Sequence, residues 1–457
     1  MVSASIQTLG CKLNQIEGES IAEAFSREGF SVSAGDFADI LVINTCTVTS
    51  KSEQKARRLI RKALKDNPRS CIIVTGCYAQ VEADAIAALE EGELRRLFVL
   101  TGDRKTLLLD LPRYLRDTPD GSLSQALERY LEPGRAVAPP DSGGMDPGDP
   151  FRFNVTDLSF HSRPFMKIQD GCNHACSYCR VSLARGPSVS LDAETLLSRL
   201  RALENAGHGE AVLTGVNLNQ YRSSGLDLGG ILEYLLANTQ TIALRLSSLE
   251  PDGMTEPFLR VLSNQRIRPH FHLSIQSGSP QILERMRRNY GPETVENAVR
   301  CLRALREDPF LACDIITGFP GETPEEFAKT HELCRRAGFA WIHAFPYSRR
   351  PGTEAWNFTE SVPEREAVSR VESLINLGRQ GRAAYISRWA GKTVEAIAED
   401  GRQGDAISAL SENYLKLRLP LQPGQPLPPP GTVLRCRILG PLEPVEPHFD
   451  AIAELKS

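Results

Sequence analysis

Short apolar runs alternate with longer amphipathic segments near the start of the chain. The apolar runs predict buried strands at residues 5–9, 40–44 and 71–75, and the segments predict helices at 15–28, 52–65 and 82–91. Strands and helices in alternation are typical of a parallel sheet. We therefore predict an N-terminal parallel α/β domain over residues 1–110.

The pattern resumes with longer helices after a stretch rich in proline and glycine, which we interpret as a linker over residues 111–160. Strands are predicted at 165–169, 210–214, 243–247, 270–275, 312–317 and 340–345. Six strands that are each followed by a helix predict a partial (β/α)6 barrel over 161–390, with its site at the carboxyl ends of the strands.

Residues 391–457 have short strand candidates at 393–398, 414–419 and 432–438, separated by proline-rich loops, and predict a small β-barrel.

The composition of the chain indicates where the protein is located in the cell and what its cysteines do. The 457 residues carry a net charge of −4, so a surface for an anionic partner must be local. No apolar run is long enough for a membrane helix, and the N-terminus does not resemble a secretory signal, so we expect a cytoplasmic protein with no membrane partner. Disulfides are disfavoured there, and the 11 cysteines favour metal ligation, with buried packing residues as the alternative.

Cys172, Cys176 and Cys179 form a CxxxCxxC motif directly after the first predicted barrel strand. Three thiolates on one loop can hold three irons of a [4Fe–4S] cluster and leave the fourth iron open. A structural zinc site completed by His174 and a ferredoxin-like electron carrier are the alternatives.

Cys11, Cys46 and Cys77 each lie just past the end of a predicted strand in the N-terminal domain. Because parallel strands bring such loops to one edge, these cysteines can converge on a second cluster, although buried structural cysteines remain the alternative. Five further cysteines fit no motif and are predicted to be buried packing residues. They are Cys71, Cys301, Cys313, Cys334 and Cys436.

The CxxxCxxC motif with Tyr178 before its last cysteine resembles the signature of the radical S-adenosylmethionine (SAM) superfamily. The resemblance implies that the open iron binds SAM and that reductive cleavage of SAM yields a 5′-deoxyadenosyl radical. Residues 316–322, Ile-Thr-Gly-Phe-Pro-Gly-Glu, resemble the segment that lines the SAM adenine. The implied SAM contacts are Tyr178, Gln276, Asp314, Ile316 and Gly318.

Together with the motifs around Cys11, Cys46 and Cys77, this loop and the terminal barrel resemble the radical SAM methylthiotransferase family over essentially the whole chain. The resemblance implies a second, auxiliary [4Fe–4S] cluster and a terminal barrel similar to the RNA-binding TRAM domain. It also implies two SAM molecules, an electron donor such as flavodoxin or ferredoxin, a sulfur source, a tRNA anticodon loop as partner, and a monomer.

Lys12 after the first cysteine, and Gln169 and Asp170 before Cys172, resemble the branch that modifies threonylcarbamoyladenosine next to the anticodon, at position 37. Modification of isopentenyladenosine tRNA, or of an aspartate in ribosomal protein S12, is the alternative. The family pattern Ile-Ile-Pro-Tyr-Ala-Arg-Gly is replaced at 180–186 by Arg-Val-Ser-Leu-Ala-Arg-Gly, so substrate contacts near the cluster differ here. An electron-transfer protein or a non-catalytic RNA-binding protein would not need this set of motifs.

Residues 51–65 predict a basic amphipathic helix directly after Cys46, with seven Lys or Arg residues against one Glu. Its predicted apolar stripe consists of Ala56, Leu59, Ile60, Ala63 and Leu64. The strong sign bias favours phosphate contact over a merely solvated face, and the predicted RNA contacts are Lys55, Arg58, Lys62, Arg349 and Arg350.

Overall fold

The structure, a computed structural model, describes residues 2–90, 95–118, 121–132, 148–154, 163–403, 406–421, 427–442 and 448–456. The described residues divide into two compact units. The first comprises the described residues up to 154 together with Phe165–His174 and Cys179–Val189. The second comprises residues 163–164, Ala175–Tyr178 and the described residues from Ser190 onward.

A five-stranded parallel sheet forms the centre of the first unit, in the order β2-β1-β3-β4-β5. The strands are β1 (Ser3–Thr8), β2 (Ser31–Ser33), β3 (Ile40–Thr45), β4 (Cys71–Gly76) and β5 (Leu97–Val99). Every residue of β3 and β4 is buried, as expected for apolar runs in a parallel sheet covered on both faces. The predicted N-terminal parallel α/β fold is confirmed.

Helices follow the strands of this sheet. They are α1 (Lys12–Arg27), α2 (Ser50–Asp66), α3 (Cys77–Val81), α4 (Ala83–Ala87), α5 (Leu111–Asp117) and α6 (Leu123–Leu131), with a 3-10 helix at Gly102–Leu109. The side chain of Thr49 caps α2 by accepting a hydrogen bond from the Ser52 N–H at 3.1 Å. The helix predicted at 82–91 is present but shorter, since α4 ends at Ala87, and the sequence analysis did not predict the short helix α3 that precedes it.

The linker prediction is wrong for residues 111–131, which form α5 and α6. Leu111, Leu127 and Tyr130 are buried in one core with residues of the sheet such as Val42 and Phe98. The apolar spacing of α6 is therefore a better guide to the structure of this segment than the proline- and glycine-rich sequence that follows it. Most of that proline- and glycine-rich sequence lies outside the described residues.

The short elements near the CxxxCxxC motif are β6 (Phe165–Lys167), β7 (Gln169–Asp170), α7 (Val181–Arg185) and β8 (Val189–Ser190). Of these, β6, β7 and α7 belong to the first unit.

Parallel strands in two runs, β9-β10 and β11-β12-β13-β14, form the barrel portion of the second unit. They are β9 (Glu210–Thr214), β10 (Ala243–Leu246), β11 (Ser248–Leu249), β12 (His270–Gln276), β13 (Phe310–Thr317) and β14 (Trp341–Pro346). The helices are α8 (Ala193–Asn205), α9 (Leu228–Ala237), α10 (Glu256–Leu262), α11 (Pro280–Arg285), α12 (Pro292–Leu305), α13 (Pro324–Ala337) and α14 (Glu364–Trp389). The predicted partial barrel is confirmed as a fold.

The chain ends in a closed barrel of five strands in the order β15-β16-β17-β19-β18. They are β15 (Thr393–Gln403), β16 (Ala406–Ser411), β17 (Lys416–Pro420), β18 (Val433–Pro441) and β19 (Ala451–Leu455). The predicted small β-barrel is confirmed, although the sequence reading missed β16 and β19.

Among the described residues, no helix combines the length and the apolar character needed to cross a membrane.

Gly76 ends β4 with φ +96°, and an added Cβ would lie 2.4 Å from the carbonyl oxygen of Thr45. Gly29 has a similar φ of +85°, but an added Cβ there would meet nothing within 4 Å. We expect Gly29→Ala to cost about 1 kcal/mol through its backbone conformation alone. Gly76→Ala should cost on the order of 3 kcal/mol, because the clash adds to the same strain. Native-state hydrogen exchange of the β3 and β4 amides measures both, and equal losses would contradict the assignment of a close approach at Gly76.

Candidate functional site

Cys11, Cys46 and Cys77 lie at the carboxyl edge of three neighbouring strands, β1, β3 and β4. The register places Thr8 opposite Asn44, and Asn44 opposite Thr75, so the three strands end at the same level. The predicted placement of these cysteines at one edge of the sheet is therefore confirmed. Their role as ligands remains a prediction.

The Cys11 loop packs directly against Cys46. Gly10 has its ideal Cβ position 2.8 Å from Sγ of Cys46, which leaves room only for glycine. Burial raises the pKa of the Cys46 thiol to about 12, and the neighbouring Cys11 and Cys77 add to this effect. A thiol with a raised pKa stays protonated in the free protein, so a metal centre that binds Cys46 would have to displace this proton.

Positive charges surround Cys77. Burial raises the pKa of its thiol, but Arg185 and Lys105 oppose that rise through their charges. A cavity of about 380 Å³ adjoins Cys77 within the first unit. Its charged lining residues are Glu17, Asp103, Lys105, Lys167, Asp170 and Arg185.

A buried ionic network centred on Glu17 of α1 supplies these charges. Lys167 and Arg185 approach Oε1 of Glu17 at 3.2 and 3.1 Å, and Lys105 pairs with Oε2. Asp170 completes the network by pairing with Arg185 at 3.0 Å and with Lys167. Burial alone would raise the pKa of Glu17, but Arg185, Lys105 and Lys167 hold it well below its ordinary value. The sequence analysis named Asp170 only as part of a family resemblance, and it predicted no ion pair for any of the five residues.

Peptide N–H groups donate to three of the six motif cysteines. Sγ of Cys46, Cys172 and Cys179 each accepts from the N–H two residues later, at 3.5, 3.4 and 3.4 Å respectively. Hydrogen bonds to ligand sulfurs are one of the means by which proteins tune iron–sulfur clusters.

Cys176, in the second unit, accepts instead from the guanidinium of Arg288, whose Nη1 lies 3.4 Å from Sγ. Arg288 is oriented by Glu250, by Tyr290 and by the carbonyl of Ser274. Arg288 lies in no recognisable motif, so this sulfur contact was not predicted.

Among the described residues, no three His, Cys, Asp or Glu side chains are grouped tightly enough to hold a single metal ion. In a [4Fe–4S] cluster, each cysteine binds a different iron, so the sulfurs need not converge on one point. The motif cysteines have free thiols that can serve as ligands, and the N–H···S hydrogen bonds and buried cations around them can stabilise thiolates. This environment fits such a cluster.

The predicted SAM contacts in the second unit lie towards the carboxyl ends of β12 and β13. Gln276 ends β12 with a φ of +63°, which is strained for a residue with a side chain. Ile316 and Tyr178 pack against one apolar cluster that includes Phe319. Gly318 follows β13, and an added Cβ there would lie 2.5 Å from that of Ala367. SAM binding by these residues remains a prediction.

Asp314 lies two residues before Ile316 in β13, and its carboxylate faces two imidazoles. Its Oδ1 is 3.0 Å from Nε2 of His272 and 3.3 Å from Nδ1 of His343. Burial opposes ionisation, but these two partners hold the pKa of Asp314 well below its ordinary value. The carboxylate therefore already has partners within the protein.

The basic helix α2 presents Lys55, Arg58 and Lys62 to solvent. Lys62 also pairs with Asp36 at 2.6 Å, which raises the pKa of Lys62. In the predicted apolar stripe, Ala56, Ile60 and Ala63 are buried, whereas Leu59 and Leu64 are half-buried.

The two arginines after β14 differ from each other. Arg349 is exposed, stacks over Trp356 at 4.9 Å and donates to the carbonyl of Trp356. Arg350 is only 2% exposed, so the expectation that it offers its guanidinium to RNA is wrong for this structure.

Four of the five cysteines outside the motifs are buried as predicted, namely Cys71, Cys313, Cys334 and Cys436. Cys301 on α12 is half-buried, so its assignment as a core residue is wrong.

Comparison with known proteins gives a consistent result. Residues 166–334 match the radical SAM superfamily, and residues 3–95 match the uncharacterized protein family UPF0004. The chain is 40% identical to threonylcarbamoyladenosine tRNA methylthiotransferase MtaB of Treponema pallidum, over 96% of this chain and 98% of the relative. The protein of the same name in Aquifex aeolicus is 35% identical, over 91% and 96% respectively. A tRNA-2-methylthio-N(6)-dimethylallyladenosine synthase of Anaplasma marginale is 30% identical, over 86% and 83% respectively.

Removal of the Glu17 carboxylate should destabilise the start of α1 strongly. Glu17→Gln leaves three buried cations with one remaining acid, Asp170, and should cost about 3–5 kcal/mol. Glu23→Gln on the same helix is the matched control, because Glu23 pairs with the exposed Arg27, and it should change stability by about 0.5 kcal/mol or less. Hydrogen exchange of the α1 amides in metal-free protein measures both. Similar losses in the two variants would contradict the central role of Glu17.

Proposed function

Because the chain belongs to the radical SAM methylthiotransferase family, we propose that it transfers a methylthio group to C2 of N6-threonylcarbamoyladenosine at position 37 of tRNA. The proposal is carried by the near full-length identity to relatives named for this activity. The relative from Anaplasma marginale, named for the dimethylallyladenosine product, is less similar to the chain than these two, at 30% identity. Isopentenyladenosine tRNA and an aspartate of ribosomal protein S12 are the rival substrates.

Membership of the superfamily brings SAM and one [4Fe–4S] cluster, and Cys172, Cys176 and Cys179 are the residues that would hold this cluster. When bound, the cluster supplies the electron that cleaves SAM to give the radical for C2–H activation. The N–H groups of His174 and Val181 hold two of these sulfurs in place.

Cys11, Cys46 and Cys77 would hold the auxiliary cluster, which would supply a binding site for the sulfur that is to be transferred. The ends of β1, β3 and β4 lie at the same level of the sheet, which supports this assignment because it places three thiols at one edge. Arg185 and Lys105 would offset the negative charge that three thiolates bring. The cavity beside Cys77 gives a small sulfur-containing substrate a route to this edge.

The tRNA would contact the exposed cations of α2, which begins four residues after Cys46. An anticodon loop presents unpaired bases, so the target adenosine can leave its stack at low cost. The proposal also includes an electron donor such as flavodoxin or ferredoxin and a sulfur source. The terminal barrel would bind RNA as a TRAM domain does, and the protein would act as a monomer.

Nucleoside mass spectrometry tests the substrate. Reconstituted enzyme should convert threonylcarbamoyladenosine tRNA to its 2-methylthio product and leave isopentenyladenosine tRNA and ribosomal protein S12 unchanged. In cells that lack the gene, 2-methylthio-threonylcarbamoyladenosine should disappear from tRNA. Preferential turnover of either rival substrate would overturn the proposed branch.

Substitution separates the two cysteine triads. Cys172→Ala, Cys176→Ala or Cys179→Ala should abolish reductive SAM cleavage. Cys11→Ala, Cys46→Ala or Cys77→Ala should leave cleavage to 5′-deoxyadenosine but stop methylthio transfer. Iron should fall from about eight to about four per chain in either set. Methylthio product from the N-terminal variants would show that these cysteines do not hold the auxiliary cluster.

The salt dependence of tRNA binding tests α2. Because each phosphate contact releases counterions, loss of Lys55, Arg58 and Lys62 together should lower the salt slope by roughly two to three units. Fluorescence anisotropy at three salt concentrations gives this slope.

The matched control removes three exposed cations from α13, Lys329, Arg335 and Arg336, and should leave the slope unchanged. An equal change in both triple variants would assign the effect to net charge and exclude α2 as a specific contact.

A further inference from the structure

Arg180, directly after Cys179, is buried and contacts two carboxylates of the first unit. It is 7% exposed. Its Nη1 donates to Oε1 of Glu53 at 3.3 Å, and its Nη2 donates to Oε1 of Glu82 at 2.9 Å. This is the first position at which residues 180–186 depart from the family pattern, where an isoleucine is expected.

Glu53 also reaches the loop of the other triad. Its Oε1 accepts a hydrogen bond from the hydroxyl of Thr47 at 2.5 Å, and Thr47 directly follows Cys46. Thr47, which follows Cys46, and Arg180, which follows Cys179, thus both donate hydrogen bonds to the same oxygen, Oε1 of Glu53.

A bridge of this kind fixes geometry more than it adds stability. The desolvation of two charges offsets most of their attraction, whereas removal of one partner leaves a buried charge without compensation. Glu53 is 8% exposed, so it needs the counter-charge that Arg180 provides. An isoleucine at position 180 could not meet this need, which indicates that Arg180 and Glu53 act as a pair in this chain.

We propose that Thr47, Glu53 and Arg180 form a positioning bridge that holds the loop after Cys179 against the loop after Cys46 and thereby couples radical formation to methylthio transfer. The coupling part rests on the proposed function. A displacement of about 1 Å at reacting groups can cost on the order of 100-fold in rate, so a bridge between the two cysteine loops acts on the yield of product for each radical formed.

The bridge is first tested in metal-free protein by hydrogen exchange. Arg180→Gln and Glu53→Gln should each speed exchange in residues 47–50 and 180–185 about tenfold, the effect of losing one charge-assisted hydrogen bond. In the double variant, exchange should be no more than about twofold faster than in either single variant, because both changes break the same contact. The bridge would be overturned if the exchange rate in the double variant were the product of the two single effects, or if exchange in the single variants were unchanged.

Two further variants keep this test decisive. Thr47→Val removes only a hydroxyl, so it reports on the bridge even if the charge variants fail to fold, and it should speed exchange in residues 180–185. Arg382→Gln breaks an Arg–Asp pair in the second unit whose side chains are both 14% exposed, and it should leave exchange in these loops unchanged.

The reconstituted enzyme then reports on coupling. The ratio of 5′-deoxyadenosine to methylthio nucleoside should rise at least about tenfold in Arg180→Gln and Glu53→Gln, with iron content and SAM cleavage within about twofold of the unsubstituted enzyme. An unchanged ratio would overturn the coupling. If the unsubstituted enzyme makes no methylthio product, the proposed function fails, while the exchange measurement still decides the bridge.

Discussion

The buried charge of Glu17 is the constraint on which the first unit depends. One carboxylate on α1 holds cations from three separate segments, Lys105, Lys167 and Arg185. Because α1 begins immediately after Cys11, the position of that cysteine follows from the same contact. Buried charges are costly unless every partner is present, so the network forms completely or leaves an uncompensated ion.

The same network closes the ends of the CxxxCxxC loop. Asp170 lies two residues before Cys172 and Arg185 lies six residues after Cys179, and their side chains pair at 3.0 Å. The loop is thereby held at its base, and the sulfurs of Cys172 and Cys179 accept hydrogen bonds from nearby peptide N–H groups. A flexible loop would have to lose conformational entropy on taking up a cluster, whereas a loop tied at both ends has already lost much of it.

The local sequence pattern was enough to predict β1, β3 and β4 and the cysteines at the edge of their sheet, because β3 and β4 are continuous apolar runs that end at a cysteine motif. The network around Glu17 could not be predicted, since its pairs join residues 88, 150 and 168 positions apart. Neighbouring residues with the same charge were equally ambiguous: Arg349 is exposed and Arg350 is buried, and no local feature of the sequence separates them. The helices at 111–131 were missed for a different reason. The prolines and glycines that follow them indicate a linker, although the apolar spacing of α6 is typical of a helix.

The three thiols at the edge of the sheet differ in their access to solvent. Cys11 is exposed, Cys77 is half-buried and Cys46 is buried. Oxidants modify thiols in the order in which they can reach them. In metal-free protein, oxidation by peroxide would therefore begin at Cys11, directly before α1, and reach Cys46 last, so that a reversible sulfenic acid at Cys11 is the expected early sign of oxidative stress.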